Sequence, residues 1–155
     1  MRLPLPQVEP DATLPESVTI YEVGPRDGLQ NEAVAVPTDV KARFIGLLVD
    51  AGLREIEATS FVSPTAIPQL ADAEALLAAV PQPDGARFPV LVPNARGMAR
   101  AEATTAVEAI AVFTAATDTF NSRNTNATVD ESFERFVPVV ALARAEGVRL
   151  RGYVS

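Results

Sequence analysis

Apolar and polar positions recur along the chain with two different periods, and the switches between them mark out the elements. The stretch "VTIYEV", Val18 to Val23, is a short apolar run that stops at Gly24-Pro25, the signature of a strand leaving a core. From Thr38 the period becomes helical. Val40, Phe44, Leu47, Leu48 and Ala51 form one stripe, Thr38 and Asp39 suit the positive helix end, and Gly52 closes the segment. A second strand is predicted from about Glu55 to Thr59, followed by the irregular stretch "SFVSPTAIP". Leu70, Ala73, Leu76, Leu77 and Val80 then recur at helical spacing before Pro81. "RFPVLVPN" reads as a third strand, with Asn94 placed to cap a brief alanine-rich helix, and "VEAIAVFTA" as a fourth. The polar stretch "TDTFNSRNTNA" reads as a loop. After it, Thr128 and Glu131 form a T-x-x-E capping box opening a helix to about Glu146, with Gly147 at its end. Pro138 inside that helix removes one backbone hydrogen bond and is expected to kink it. "VRLRGYV" is the fifth strand.

Strands joined by connections of helical length imply an α/β fold with parallel, sequential strands and right-handed crossovers. An open doubly wound sheet and an arc of a (β/α)8 barrel both fit that order. Neither a G-x-G-x-x-G fingerprint nor a Walker-type loop is present, which weakens the nucleotide-binding sheet. A closed TIM barrel needs about 250 residues. This chain has 155, so it is read as a partial TIM (β/α)8 barrel of about four βα units plus a fifth strand. Residues 1–17 carry four prolines and no apolar signal-peptide core, and are read as an irregular Pro-rich leader to a half-barrel domain over 18–155.

Composition narrows the function classes. A hydrophobic fraction of 48% supplies a core, yet no window is apolar for long enough to span a bilayer. Without cysteine or histidine there is no disulfide framework, no thiolate metal site and no imidazole base. A net charge of −7 argues against a nucleic-acid partner, which needs a basic face. Of 13 basic residues only Lys41 is a lysine. A cytoplasmic protein without membrane or nucleic-acid partners is expected.

In either parallel architecture, functional groups gather at the carboxyl ends of the strands. "GPRDGLQNE" sits at such an end. Alternation along the first two strands brings Glu22 and Glu57 near Arg26 and Asp27, and carboxylates on buried strands are costly unless paired or metal-bound. Two readings stay open. A self-satisfied ion network is one; an anion-binding arginine beside a hard oxygen ligand for Mg²⁺ or Mn²⁺ is the other. Ser60 and Ser63 read as turn and helix caps, Asn94 as an N-cap. Arg123 and Asn124 read as solvated loop polarity, and Arg151 and Tyr153 as strand residues aimed inward, with buried pairing to a strand carboxylate the competing role for Arg151.

The blocks "EVGPRDGLQNE", "IEATSFVSP", "PQLAD", "PVLVPN", "NSRNTNATVDESFERF" and "RGYVS" occur in the order of the 3-hydroxy-3-methylglutaryl-CoA lyase family, a branch of the DRE-TIM metallolyases. The chain resembles that family from about Val18 to Ser155. Isopropylmalate synthase relatives, the Claisen-type alternative, usually read D-T-T-L-R-D-G at the first block. The resemblance implies a divalent-metal barrel cleaving 3-hydroxy-3-methylglutaryl-CoA to acetyl-CoA and acetoacetate, as in leucine degradation. It implies Asp27 as a metal ligand (Mg²⁺ or Mn²⁺), Arg26 as the catalytic, substrate-contacting arginine, and Gln30 and Glu57 as substrate-binding positions.

The family's later metal ligands, an H-x-H pair and an asparagine, and its catalytic cysteine match nothing here. Ala127 stands where the family loop commonly has cysteine and Thr125 where it has isoleucine. The chain is therefore read as the amino-terminal half of such an enzyme, inactive alone, or as a non-catalytic interaction module. Its open strand edges predict self-association or complementation by a matching half.

Overall fold

The computed structural model describes residues 11–104 and 107–155. Residues 1–10 of the expected leader lie outside the described residues, and residues 11–20 are exposed. The strands are β1 (Tyr21–Glu22), β2 (Glu55–Ile56), β3 (Thr59–Ser60), β4 (Val90–Leu91), β5 (Ala109–Thr114) and β6 (Arg149–Val154). The helices are α1 (Thr38–Asp50), α2 (Ala73–Ala79), α3 (Ala95–Glu102), α4 (Asp118–Thr125) and α5 (Val129–Ala145).

All pairings are parallel. β1 pairs with β2, and β3, β4, β5 and β6 follow one another in a second ladder. β2 and β3 belong to one extended segment: Glu57 N donates to Glu22 O on one side, while Ile56 N and Ala58 N donate to Arg87 O and Pro89 O on the other. The order across the molecule is thus sequential, as the alternating pattern predicts.

Helices cover one face of this sheet. Ile56, Ala58, Leu76, Val80 and Phe88 bury Ile45 of α1. Phe61, Val90, Val92, Ile110 and Val112 pack on Met98 and Ala101 of α3 and on Phe136 and Val139 of α5. Each of the Val, Leu, Ile, Met and Phe side chains among them contributes roughly 1.5–3 kcal/mol by leaving water. The other face is concave, because inward side chains of the outermost strands meet across it. The Arg151 guanidinium lies 4.1 Å from the centre of the Tyr21 ring although β1 and β6 are not paired.

Several expectations are corrected. The first strand is only Tyr21–Glu22, and Val18 and Ile20 are exposed. On α1, Val40 and Leu47 are exposed while Lys41 and Ile45 are buried. The helix carries two overlapping apolar stripes, and the one containing Ala42, Ile45, Leu48 and Val49 meets the core. Part of "TDTFNSRNTNA" is helical: Thr117 caps α4 through its hydroxyl, and Asn126 ends it at φ 51° in the left-handed region. α5 does open with the Thr128–Glu131 capping box, and it runs through Pro138 as a single helix.

Candidate active site

Where β1 leaves the sheet, Gly24–Gly28 forms a single wide, π-helical turn with Pro25 near its start, which suits a fixed φ and no donor. Glu22 turns back to accept from Gly24 N at 2.6 Å, so it does not join the arginine as alternation suggested. The turn aims Arg26 inward and leaves Asp27 outward. Arg26 is 8% exposed and Glu57 is fully buried.

Arg26 is held from two sides. Its Nε donates to Glu57 Oε1, and its Nη1 donates to Asp27 Oδ1 at 2.7 Å. The second Glu57 oxygen accepts from the Tyr153 hydroxyl at 2.8 Å, and the Tyr153 ring lies 5.7 Å from the guanidinium. Both Glu57 oxygens are therefore engaged, as a buried carboxylate requires. Arg26 Nη2 has no partner among the described residues. Burial, then the hydrogen bond to Glu57, pushes the Tyr153 hydroxyl up to about 12. Burial and the charge of Glu57 raise Tyr21 as well.

A cleft of about 540 Å³ opens beside this group. Arg26, Asp27, Gln30 and Asn31 line it from the end of β1, and Val62, Ser63, Ala66 and Ile67 from the loop after β3. Leu91, Asn94, Phe113, Phe120, Asn124 and Arg135 are among the residues forming the rest of its walls. Of the four predicted site residues, Arg26, Asp27 and Gln30 line the cleft. Glu57 does not; it stands behind Arg26.

The remaining candidates separate. Asn94 Oδ1 accepts from Gly97 N at 3.0 Å and caps α3 while also facing the cleft. Ser60 Oγ donates to Leu91 O at 3.2 Å, and Ser63 shares a hydroxyl bond with Thr65 at 2.8 Å. Asn124 lines the cleft; Arg123 is exposed outside it. Arg151 stacks on Tyr21 and Tyr153 with no carboxylate partner among the described residues, whereas Arg149 pairs with Glu55. Phe120 was missed by sequence reasoning because its place depends on α4 being a helix. Arg135 lies on the predicted α5 but was not singled out, because its guanidinium is set by bonds to Thr125 O and Asn126 O at the end of α4.

Among the described residues no group of three Asp or Glu side chains comes together to hold a cation. Asp27 is a lone carboxylate with one oxygen already on Arg26. These residues do not by themselves make a divalent-cation site.

The family model described as HMGL-like matches residues 17–154. The chain belongs to the HMGL-like family. It is 51% identical over 142 residues to the "3-hydroxy-3-methylglutaryl-CoA lyase, cytoplasmic" of Rattus norvegicus, covering 92% of this chain and 41% of the relative. A solved hydroxymethylglutaryl-CoA lyase from Pseudomonas aeruginosa is 44% identical with a TM-score of 0.86, over 91% of this chain and 47% of that one. An HMG-CoA lyase from Acinetobacter baumannii, solved with coenzyme A and 3-methylmalate, is 35% identical with a TM-score of 0.82, over 88% and 44%. This HMGL-like chain thus spans less than half the length of these relatives and is a partial barrel of their fold.

Proposed function

We propose that this chain supplies the arginine half of a carbon–carbon lyase site acting on 3-hydroxy-3-methylglutaryl-CoA. The observation that carries the reading is the state of Arg26. Two of its nitrogens are tied to buried or cleft-edge carboxylates, and the third, Nη2, is left for a ligand. Retro-aldol cleavage of the tertiary alcohol places negative charge on the oxygen of the departing thioester enolate. A guanidinium already fixed at that place stabilises the charge as it develops and needs little reorganisation. Glu57 and Tyr153 hold its plane, so in this reading Glu57 serves the substrate through Arg26. Gln30 offers a neutral hydrogen-bonding side chain on the same wall.

Asp27 would offer one hard oxygen to Mg²⁺ or Mn²⁺, and further ligands would be needed to hold the ion. Such a metal, when bound, would acidify the substrate hydroxyl. An acyl-CoA is the proposed substrate class, supported by the coenzyme A bound to the Acinetobacter baumannii lyase. The compartment in the rat relative's name, the cytoplasm, is carried over with the activity. Among the described residues no helix is long and apolar enough to cross a membrane.

The test is acetoacetate release from 3-hydroxy-3-methylglutaryl-CoA with Mg²⁺ or Mn²⁺. It is run on the chain alone and on the chain mixed with the carboxyl-terminal half of a relative's barrel. The expected result is no release alone, release on mixing, and a loss of about 10²–10³ in rate with Arg26→Met, the scale of removing one oxyanion donor. Release by the chain alone, or release unaffected by Arg26→Met, overturns the reading.

A further inference from the structure

Lys41, the chain's one lysine, is 2% exposed in a helix that the proposed chemistry does not use. An ammonium taken out of water is costly unless its protons find acceptors, and a leucine or methionine could fill the same space at less cost. Its Nζ donates to the backbone carbonyl of Gln69 and, at 2.7 Å, to Asp72 Oδ1. Asp72 Oδ2 accepts from the Thr38 hydroxyl at 2.6 Å, which anchors the carboxylate to the first turn of α1.

The bonds continue into both walls of the cleft. Gln69 closes the loop after β3, whose Ser63, Ala66 and Ile67 line one wall. That loop is fixed internally by Ala66 N and Ile67 N donating to Ser63 O, and by Leu70 N donating to Ile67 O. The Gln69 side chain crosses to the other wall and donates to Glu32 O at 2.9 Å. Glu32 N in turn donates to Leu29 O, and the Asn31 side chain donates to Asp27 O at 2.7 Å. One buried ammonium therefore sits at the root of a hydrogen-bonded line reaching the turn that carries Asp27 and Gln30.

We infer that Lys41 is a positioning residue, fastening the Ser63–Leu70 loop directly and the Asp27–Glu32 turn through the Gln69 side chain. It sets the separation of the two cleft walls without touching what binds between them. The inference needs no particular substrate and stands whether or not the lyase reading does.

Amide hydrogen exchange on the chain, followed peptide by peptide, tests it. Lys41→Met is expected to speed exchange about tenfold at Asn31, Glu32, Ala66, Ile67 and Leu70 while leaving β5 and β6 unchanged. Gln69→Ala keeps the ammonium and the backbone carbonyl, so it is expected to free Asn31 and Glu32 and to leave Ala66 and Ile67 protected. Lys41→Arg, which keeps the charge and donors, should restore part of the protection in both loops. Unchanged exchange in both loops overturns the inference. So does loss spread evenly over every strand in Lys41→Met, or Gln69→Ala loosening both walls alike. If Lys41→Met does not fold, Lys41→Arg and Gln69→Ala decide together. Partial loosening of both loops in the first and of Asn31 and Glu32 alone in the second upholds the inference. Wild-type exchange in Lys41→Arg with both walls loosened in Gln69→Ala overturns it.

Discussion

The Tyr153 hydroxyl donates to Glu57 Oε2 at 2.8 Å, joining the last strand to the second strand segment across the hollow of the arc. Because burial and this bond raise the hydroxyl to about 12, the neutral tyrosine is favoured by folding. Its contribution is fully present below the unfolded value of about 10 and is lost as pH rises from there toward about 12. The chain has two tyrosines and no tryptophan, so tyrosinate absorbance reports them directly. In the folded chain, ionisation should start above the unfolded midpoint for both rings. In Tyr153→Phe only the Tyr21 transition should remain, and Glu57→Gln should bring the Tyr153 midpoint down. A folded chain whose tyrosines both titrate near the unfolded value has no such bond.

The Arg26–Glu57 pair is buried from both partners, unlike the exposed pair of Arg100 with Glu74. Removing one member of a buried pair strands the other charge and costs about 3–5 kcal/mol. Exposed pairs are worth about 0–1 kcal/mol. Glu57→Ala is therefore expected to lower the urea midpoint far more than Glu74→Ala. The double variant Glu57→Ala/Arg26→Met should lose less than the sum of its single changes. Additive losses in the double-mutant cycle would remove the coupling on which the site depends.

The parallel order of strands was legible because each connection is of helical length, and the Arg26-Asp27 exit because Gly24-Pro25 must end a strand. The sequence did not reveal which stripe of α1 faces inward. Val40, Phe44 and Leu47 match helical spacing as well as Ile45 and Leu48 do, and burial of Lys41 goes against the usual exposure of lysine. α4 was hidden by composition. Its Thr, Asn and Ser residues favour turns in isolation, and the helix is held by a Thr117 cap and by Asn121, whose amide bonds Ala127 O and Thr128 O. The position of Glu57 behind Arg26 depended on the depth of the strand, which alternation cannot give.

Acid should open the Lys41 fastening before the core fails. Burial alone would raise the Asp72 carboxyl, but the hydrogen bonds from Lys41 and Thr38 outweigh it and hold it below its usual value of 3.8. A lowered folded value means that this stability is present above the unfolded value and disappears as pH falls through the folded one. Exchange at Ala66 and Ile67 should accelerate as pH drops below about 4, after correction for intrinsic rates. Asp72→Asn should show the faster exchange already at neutral pH. An Asp72→Asn chain that retains wild-type protection at neutral pH would contradict this.

Gly97 sits where there is no room for a side chain. A Cβ there would lie 2.8 Å from Phe61 O and 3.1 Å from Pro93 Cδ, where α3 meets the strand exits. Backbone on one side cannot move without disturbing β3, so Gly97→Ala is expected to cost about 1–3 kcal/mol despite alanine's better helix propensity. Gly46→Ala, in α1 with open space around it, should instead stabilise by about 0.4–1 kcal/mol. Chemical denaturation of the two variants side by side checks the contrast; equal effects would mean that the close approach is relieved at no cost.

The free edges of the arc give the last prediction. β6 pairs with β5 along its whole length and has no partner on its other side among the described residues. Leu150 and Val154 are 42% and 73% exposed on it, and Val18 and Ile20 are uncovered ahead of β1 at the opposite edge. An unprotected strand of six residues with apolar side chains is a template for further pairing. The net charge of −7 opposes association between copies only weakly once salt screens it. The isolated chain is therefore expected to elute on size exclusion as species larger than its 16.4 kDa monomer, increasingly so at higher salt. Leu150→Lys and Val154→Lys should each shift the profile toward monomer, because a charge on an edge strand is costly to bury against a neighbour. A matching carboxyl-terminal half of a relative's barrel should compete with self-association, since both use the same edge. A sharp monomer peak with cooperative melting from the unmodified chain would show that the edges are closed in some other way.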